Sequence, residues 1–298
     1  MKNAISYYYN MNPTDIHQTG KIFKFVHDNN FYLLMPCERI DEINTIYELS
    51  YELNRRGVPI HQIILNSSNQ IITLISDISY VLMKVLVSDR KLTLNDILSI
   101  NNLVIDIKDN YPLRRDNWFK LWCEKIDYFE YQVNQMGKKY PLIRESFSYY
   151  VGLAENGICL FRDGYKSGKI FISHRRIFYN ESILELYNPL NLVIDLQVRD
   201  VCEYFKSCFF NGIDVFENVK QYLYLNNFDN ENKILFLSRM LFPSYYFDLY
   251  EKIIAGEVLE EEIKKITKRV DDYELFLRKI YFLLKDEKFP FIDWLNKN

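Results

Sequence analysis

Strand-like patterns of apolar residues fill most of the first ninety positions. Residues 21–26 and 31–36 flank the turn Asp28-Asn29-Asn30, which predicts a pair of antiparallel strands. Further strands are predicted at 62–65, 70–75 and 80–87, and the first two of these are expected to form a hairpin. The most apolar stretch, 71–87, contains Asp77 and Lys84, so it predicts two strands and not a membrane span.

One helix is predicted between these strands. Asp41 can cap its start, and Gly57 ends it after two arginines in the last turn. Apolar residues recur three or four positions apart, the spacing of one helix face, at Ile43, Ile46, Leu49 and Leu53.

After residue 88 the pattern becomes mainly helical. Helices are predicted at 143–160 and 198–210, and the charged segment 257–269 is typical of a solvated helical face. The sequence therefore predicts an α+β protein with a strand-rich part at 1–88 and a helical part at 89–298. A stripe of large apolar residues predicts one buried helix face, at Trp118, Trp122, Ile126, Phe129 and Val133.

Composition argues against several classes of function. The net charge of −3 is unlike that of a mainly electrostatic nucleic-acid binder. The five cysteines are scattered without a Cys-X-X-Cys pair, which is typical of free thiols, and the four histidines lack metal-ligand spacing. The first residues lack the apolar run of a secretory signal.

The segment His174-Arg175-Arg176 and the apolar strand LVIDL at 192–196 carry the candidate chemistry. They resemble the catalytic loop and metal-binding strand of kinase-like phosphotransferases. The chain as a whole resembles the kinase-like spore coat proteins of the CotS and YutH type, which are relatives of aminoglycoside and choline phosphotransferases. That resemblance rests on FYLLMP at 31–36, YYVGLAEN at 149–156 and FPSYYFDLYE at 242–251.

The resemblance implies a bilobal protein-kinase-like (aminoglycoside phosphotransferase-like) fold, with a small antiparallel-sheet lobe containing one helix and a larger, mostly helical lobe. It also places each catalytic group. The phosphate-binding lysine falls on Met35, and the catalytic aspartate falls on Arg176. The metal-binding asparagine falls on Glu181, or on Asn180 after a shift of one residue, and the second metal ligand falls on Asp195. Arginine stays protonated and cannot accept a proton, so Arg176 cannot act as the catalytic base. Of the four catalytic positions, only Asp195 carries the residue type that the resemblance requires.

Two interpretations of Asp195 stay open. With Glu181 it could hold one metal ion while Arg175 and Arg176 bind an anion, in a site reworked for another phosphate chemistry. Alternatively, Asp195 could organise the loop by pairing with Arg175 or Arg176.

Three other polar positions are expected to be structural. His174 should pack in the loop with a hydrogen bond between its ring and the backbone, and Asp200 should stabilise the start of the following helix. Glu48 or Glu52 stands where a kinase places the glutamate that pairs with the lysine, and with Met35 opposite, we expect solvent exposure there.

These losses predict a non-catalytic pseudokinase that acts as a structural or assembly component of a bacterial spore coat. The resemblance implies synthesis in the cytoplasm of the mother cell, incorporation into the coat, and other coat proteins as partners. No cofactor and no nucleic acid are expected to be bound, and no membrane span is expected. The alternative is an active or atypical ATP-dependent phosphotransferase using magnesium and ATP, and a third reading is a scaffold that binds ATP without turnover.

Overall fold

The chain divides into two units in the computed structural model, which describes residues 1–103, 111–166 and 168–297. The first unit comprises 1–96, 111–114 and 180–194. The second comprises 97–103, 115–179 and 195–297. The first unit thus contains all of the strand-rich part predicted at 1–88, together with two later segments.

The described residues contain eight strands and twelve α-helices. The strands are β1 (Thr14–Thr19), β2 (Ile22–His27), β3 (Asn30–Pro36), β4 (Gln62–Ile64), β5 (Thr73–Ile75), β6 (Ile78–Lys84), β7 (Ile170–His174) and β8 (Leu192–Leu196). The helices are α1 (Lys2–Tyr9), α2 (Ile43–Arg55), α3 (Leu94–Asn101), α4 (Trp118–Met136), α5 (Pro141–Gly164), α6 (Ile183–Leu186), α7 (Arg199–Phe210), α8 (Phe216–Asn226), α9 (Asn230–Leu241), α10 (Ser244–Ile254), α11 (Lys264–Thr267) and α12 (Val270–Leu284).

The sheet of the first unit is antiparallel, with strand order β1-β2-β3-β6-β4 and with β5 also paired to β6. The predicted strand pair β2–β3 is confirmed. The predicted hairpin of 62–65 with 70–75 is wrong, because both segments pair with β6 through Ile64–Leu82 and Thr73–Tyr80. The longer β6, whose middle is fully buried, offers both short strands a partner, and Asn66 folds the connection by accepting hydrogen bonds from two backbone amides.

Two helices complete the core of the first unit. The predicted α2 is confirmed, and it buries all four of its expected apolar positions. Asp41 lies in a short turn before α2 and does not cap it, whereas Gly57 follows its end with a left-handed φ of 83°. The sequence analysis did not identify α1, which packs Ile5 and Tyr9 into a cluster with sheet residues such as Phe25 and Leu34.

The second unit is a helical assembly around α5, which packs against α4 and α9. The predicted apolar stripe of α4 is buried at Trp118, Trp122, Ile126 and Phe129. Gly157 lets α5 approach α9, because a Cβ at this position would lie 2.9 Å from the carbonyl oxygen of Ser238. The charged segment 257–269 is a short turn followed by the four-residue α11, not one helix.

In the described ranges, every helix is too short or too polar to span a membrane.

Candidate functional site

Met35 stands at the position of the expected phosphate-binding lysine, in β3 of the first unit. Its sulfur lies 3.7 Å from the side-chain nitrogen of Asn188, which also donates to Glu185 at 3.0 Å. Met35 therefore presents an uncharged thioether to a buried amide. Nothing in this pair of side chains would attract a phosphate.

Asn180 and Glu181, the two candidates for the metal-binding asparagine, also lie in the first unit. The side-chain oxygen of Asn180 accepts a hydrogen bond from the ammonium group of Lys91. The backbone oxygen of Glu181 accepts one from the amide of Leu92 at 2.8 Å. The segment around Lys91 thus binds this part of the loop, and the Asn180 oxygen already faces a cation.

His174 closes β7 in the second unit and is held by Asp200. The ring Nδ1 lies 2.7 Å from one carboxylate oxygen of Asp200, and the backbone amide of His174 donates to the other at 3.1 Å. Both side chains are buried. Asp200 lies in the first turn of α7, where an acidic group is expected to stabilise the helix start, and it also holds the loop by two bonds to His174. A carboxylate at Nδ1 was not expected from the sequence.

Arg176, at the position where a catalytic aspartate is expected, points its charge at two acidic residues of α10. Its Nη2 lies 3.0 Å from Asp248 and 3.8 Å from Glu251. Lys125 of α4 lies 3.5 Å from Asp248 and 3.6 Å from Glu251. Arg176 therefore belongs to a cluster of two cations and two carboxylates, whose charges balance.

Asp195 is fully buried near the end of β8, and both of its oxygens are occupied by donors. The indole N–H of Trp118 and the backbone amide of Leu196 each donate to Oδ1 at 2.7 Å. The guanidinium of Arg199 donates to Oδ2. Burial raises the pKa of the Asp195 carboxyl, while Arg199 and Arg239 oppose that shift. Since every partner is a donor, we assign Asp195 as a carboxylate.

Arg199 is the partner of Asp195, so the predicted pairing with Arg175 or Arg176 is wrong. Arg199 begins α7, four residues after Asp195, and it also donates to the backbone oxygens of His174 at 3.0 Å and Arg175 at 3.4 Å. The physical reason is reach: Arg199 faces the carboxylate from the adjoining helix turn, whereas Arg176 turns towards α10. The short sequence separation of Asp195 and Arg199 was the signal that could have identified the pair.

A second buried network, which sequence reasoning did not identify, lies beside this carboxylate. Glu203 of α7 accepts hydrogen bonds from Lys206 at 2.9 Å, from Arg239 at 2.7 Å and from Ser244 at 2.6 Å. Although burial acts to raise it, Lys206 and Arg239 hold the pKa of Glu203 below its ordinary value. The Arg239 guanidinium lies 5.0 Å from the centre of the Trp118 ring, so the same arginine contacts both networks.

Magnesium does not fit the residues around Asp195. A divalent cation needs oxygen ligands with free lone pairs, and this carboxylate accepts bonds from an indole, an amide and a guanidinium. Over residues 1–103, 111–166 and 168–297, no group of three or more histidine, cysteine, aspartate and glutamate side chains is arranged to hold a metal ion.

The two longer segments that carry the resemblance contact each other in the second unit. Tyr150 of α5 stacks on Tyr246 of α10, with 3.8 Å between ring centroids. Ser146, one turn earlier in α5, lies 2.9 Å from the hydroxyl oxygen of Tyr246. The shared residues thus form a packed interface between α5 and α10, the helix that carries the carboxylates facing Arg176.

Comparison with known proteins agrees with this architecture. Residues 2–280 match the model of a family described as "Spore coat putative kinase YutH". The endospore coat-associated protein YutH of Bacillus subtilis (strain 168) is 27% identical over 215 residues, which cover 62% of this chain and 62% of that protein. The alignment therefore spans less than two thirds of the relative's length.

Solved phosphotransferases share the fold. An aminoglycoside phosphotransferase from Alicyclobacillus acidocaldarius superposes with a TM-score of 0.68 at 10% identity, over 95% of this chain and 96% of that one. An AMP-bound spectinomycin phosphotransferase superposes with a TM-score of 0.63 at 11% identity, over 94% and 96% of the two chains. The predicted α+β, aminoglycoside phosphotransferase-like fold, with an antiparallel-sheet lobe and a helical lobe, is confirmed.

Proposed function

This chain belongs to the YutH family of spore coat kinase-like proteins, and we propose that it is a pseudokinase that serves the spore coat as a structural or assembly component. The observation that carries the proposal is the state of Asp195. Its two oxygens accept three hydrogen bonds from protein donors, one of them from a guanidinium. Three of the roughly four lone-pair sites of this carboxylate are therefore taken by donors, and the Arg199 cation lies against Oδ2, so we expect Asp195 to be a poor ligand for the metal ion that phosphoryl transfer requires.

Two further positions support the proposal that the chain lacks phosphotransferase activity. Arg176 cannot remove a proton from an acceptor hydroxyl, and its charge is already balanced by Asp248 and Glu251. Met35 gives the phosphates no cation and contacts a neutral amide instead. Loss of the base alone costs about 10² to 10⁴ in rate. Neither the Mg²⁺ nor the ATP of a kinase is therefore part of the proposed function.

The place of action follows from the family. The Bacillus subtilis relative is an endospore coat-associated protein. We infer for this chain synthesis in the mother cell, incorporation into the coat, and binding to other coat proteins. A tagged copy expressed during sporulation should co-fractionate with the coat; recovery only from the mother-cell soluble fraction would contradict this part of the proposal.

A nucleotide titration tests the catalytic part. Thermal unfolding of the purified chain should not change on addition of millimolar Mg-ATP. A nucleotide present at about 100 times its Kd would add about 2.7 kcal/mol to the free energy of unfolding. The matched control is Asp195→Asn, which keeps the size of the side chain and removes its charge.

The outcomes separate the three candidate functions. An unchanged unfolding temperature, with no ADP released, supports the pseudokinase. A shift without phosphate transfer would indicate a scaffold that binds ATP. A shift with transfer to an acceptor, both abolished by Asp195→Asn, would establish the phosphotransferase that the shared fold makes the main alternative.

A further inference from the structure

A groove between α8, the first turn of α9 and the end of α12 opens on the surface of the second unit. Its volume is about 570 Å³, and its apolar wall includes Leu223, Tyr224, Phe228 and Leu283. Tyr224 is 83% exposed and Leu283 is 40% exposed, so both present apolar surface to solvent. Apolar surface gathered and exposed in one place is a feature of binding sites.

The charged residues that line this groove are two lysines. Lys220 belongs to α8 and Lys233 to α9. Their acidic partners, Glu217 at 3.6 Å and Asp286 at 2.5 Å, are not part of the lining. An occupant that combines an apolar side chain with carboxylates would therefore match the groove in both polarity and charge.

The same unit exposes an apolar side chain among acidic residues. Leu259 is 76% exposed and directly precedes the short turn Glu260–Ile263. Four glutamates stand within three residues of Leu259, at positions 257, 260, 261 and 262, and the lysines of this segment follow only after the turn. Glu257 and Glu261 are exposed. Leu259, Glu257 and Glu261 thus form an acidic knob whose character is complementary to that of the groove.

The acidic knob and the groove lie at opposite ends of α5. Glu260 accepts a hydrogen bond at 2.9 Å from the backbone amide of Ile143, in the first turn of α5. At the other end, a Cβ on Gly164 would lie 2.5 Å from a methyl carbon of Ile234, which directly follows Lys233 of the groove. Between Ile143 and Gly164 the helix rises about 32 Å, at 1.5 Å per residue. The knob of one chain therefore cannot enter the groove of the same chain.

We propose that the acidic knob of one copy of this chain docks in the groove of a second copy. In this contact Leu259 packs against the apolar wall of the groove. Glu257 and Glu261 face the ammonium groups of Lys220 and Lys233. The contact rests on the proposed role in coat assembly, and it gives that role a defined pair of surfaces.

The position of the two surfaces determines the kind of assembly. Because they differ from each other and lie far apart, each dimer keeps a free knob on one copy and a free groove on the other. Further copies add in the same way, which is a head-to-tail contact that gives rings or open filaments.

Sedimentation velocity of the purified full chain over a series of concentrations tests the contact. Dimers and larger species should appear as the concentration rises, and added salt should weaken the association because the paired charges lie at the surface. Leu259→Lys places a cation against the lysines of the groove, and Tyr224→Glu places a carboxylate against the glutamates of the knob. Each variant should associate at least about tenfold more weakly, as expected for a central residue of an interface. Both side chains are strongly exposed, so neither change should prevent folding.

A mixture of the two variants distinguishes a head-to-tail contact from a symmetric one. Leu259→Lys keeps an intact groove and Tyr224→Glu keeps an intact knob, so one contact can form between them. The mixture should give dimers and no larger species, whereas each variant alone should be monomeric. Tyr131→Glu, a change at an exposed tyrosine of α4, is the matched control and should associate like the unmodified chain.

Three results would overturn the proposal. They are an unmodified chain that stays monomeric at every concentration, an association that both substitutions leave intact, and a mixture of the two variants that stays monomeric. A monomeric chain that still co-fractionates with the coat would leave the groove to a different partner and the proposed function standing. The Mg-ATP titration involves neither surface, so a failure of this contact is distinguishable from a failure of the pseudokinase proposal.

Discussion

Trp118 in α4 donates its indole N–H to Oδ1 of Asp195 at 2.7 Å, so a helix of the core holds the carboxylate for which the sequence resemblance implies metal binding. The ring of Trp118 also lies under the Arg239 guanidinium. One side chain therefore contacts the Asp195 site and the Glu203 network. A residue of the buried stripe of α4 is thus also a polar partner of Asp195.

Trp118→Phe should destabilise the chain by leaving Asp195 with one donor fewer. The lost bond is to a buried carboxylate, and removal of one partner from such a bond costs about 1–3 kcal/mol. Urea unfolding measures the change. Trp122→Phe is the matched control, because it removes the same atoms from the same stripe and Trp122 stacks on Phe242 instead of bonding Asp195. Equal losses in the two variants would show that ring size, and not the indole N–H, determines the cost.

His61 should make stability depend on pH. It is fully buried, and the backbone of Leu184 is the polar group that acts on its ring, against the effect of burial. Burial lowers the pKa of His61 from 6.5 to about 4. Because the unfolded chain binds the proton more tightly, stability is complete above pH 6.5 and falls as the pH drops towards 4.

The size of this effect is up to about 3 kcal/mol, from 1.36 kcal/mol for each unit of pKa difference. Urea unfolding between pH 4 and 7.5 should show it. His61→Leu should flatten the profile over this range. His17→Gln, a change at an exposed histidine of β1, should leave the slope unchanged. A profile that His61→Leu does not alter would rule out His61 as the titrating group.

Arg176→Asp restores the residue type of a catalytic base, and we expect no phosphotransfer from it. Asp195 would still be bound by its three donors, and Met35 would still offer the phosphates no charge. ADP release in Mg-ATP measures the outcome, with Arg176→Asn as the control of equal size. Activity in the aspartate variant alone would show that the Asp195 site remains open to metal.

The same substitution should also lower stability through charge repulsion. A third carboxylate would face Asp248 and Glu251, with Lys125 left as the cation of the cluster. Because Arg176 is about half exposed, the loss relative to Arg176→Asn should be modest, about 1 kcal/mol or less, and smaller in high salt. A difference that salt does not reduce would contradict an electrostatic origin.

Local patterns predicted much of the fold and little of the side-chain contacts around the site. Apolar residues spaced three to four positions apart correctly predicted α2 and the stripe of α4, because those helix faces are buried. The proposed 62–75 hairpin failed because the sequence does not show which strand a short segment pairs with. Side-chain partners distant in sequence could not be predicted for the same reason. Nothing near Arg176 in the sequence indicates that it pairs with the carboxylates of α10. The Asp195–Arg199 pair was local and within reach of sequence reasoning.

Lys206 should be among the most sensitive positions of the second unit. Its ammonium group is buried and donates to Glu203, to the backbone oxygens of Arg239 and Phe242, and to Ser244. Lys206→Met would leave two carbonyls without this donor and the Glu203 carboxylate with one cation fewer. Breaking one partner out of a buried ionic network costs about 3–5 kcal/mol.

Urea unfolding of Lys206→Met, Glu203→Gln and the double variant tests whether the two residues act as one unit. We expect the double variant to lose less than the sum of the single losses, by about 0.5–3 kcal/mol, because Glu203 in its neutral form no longer needs the cation. Lys220→Met, at an exposed lysine of α8, is the control and should change stability by no more than about 0.5 kcal/mol. Additive losses would show that Lys206 stabilises the carbonyls at the end of α9 independently of its ion pair.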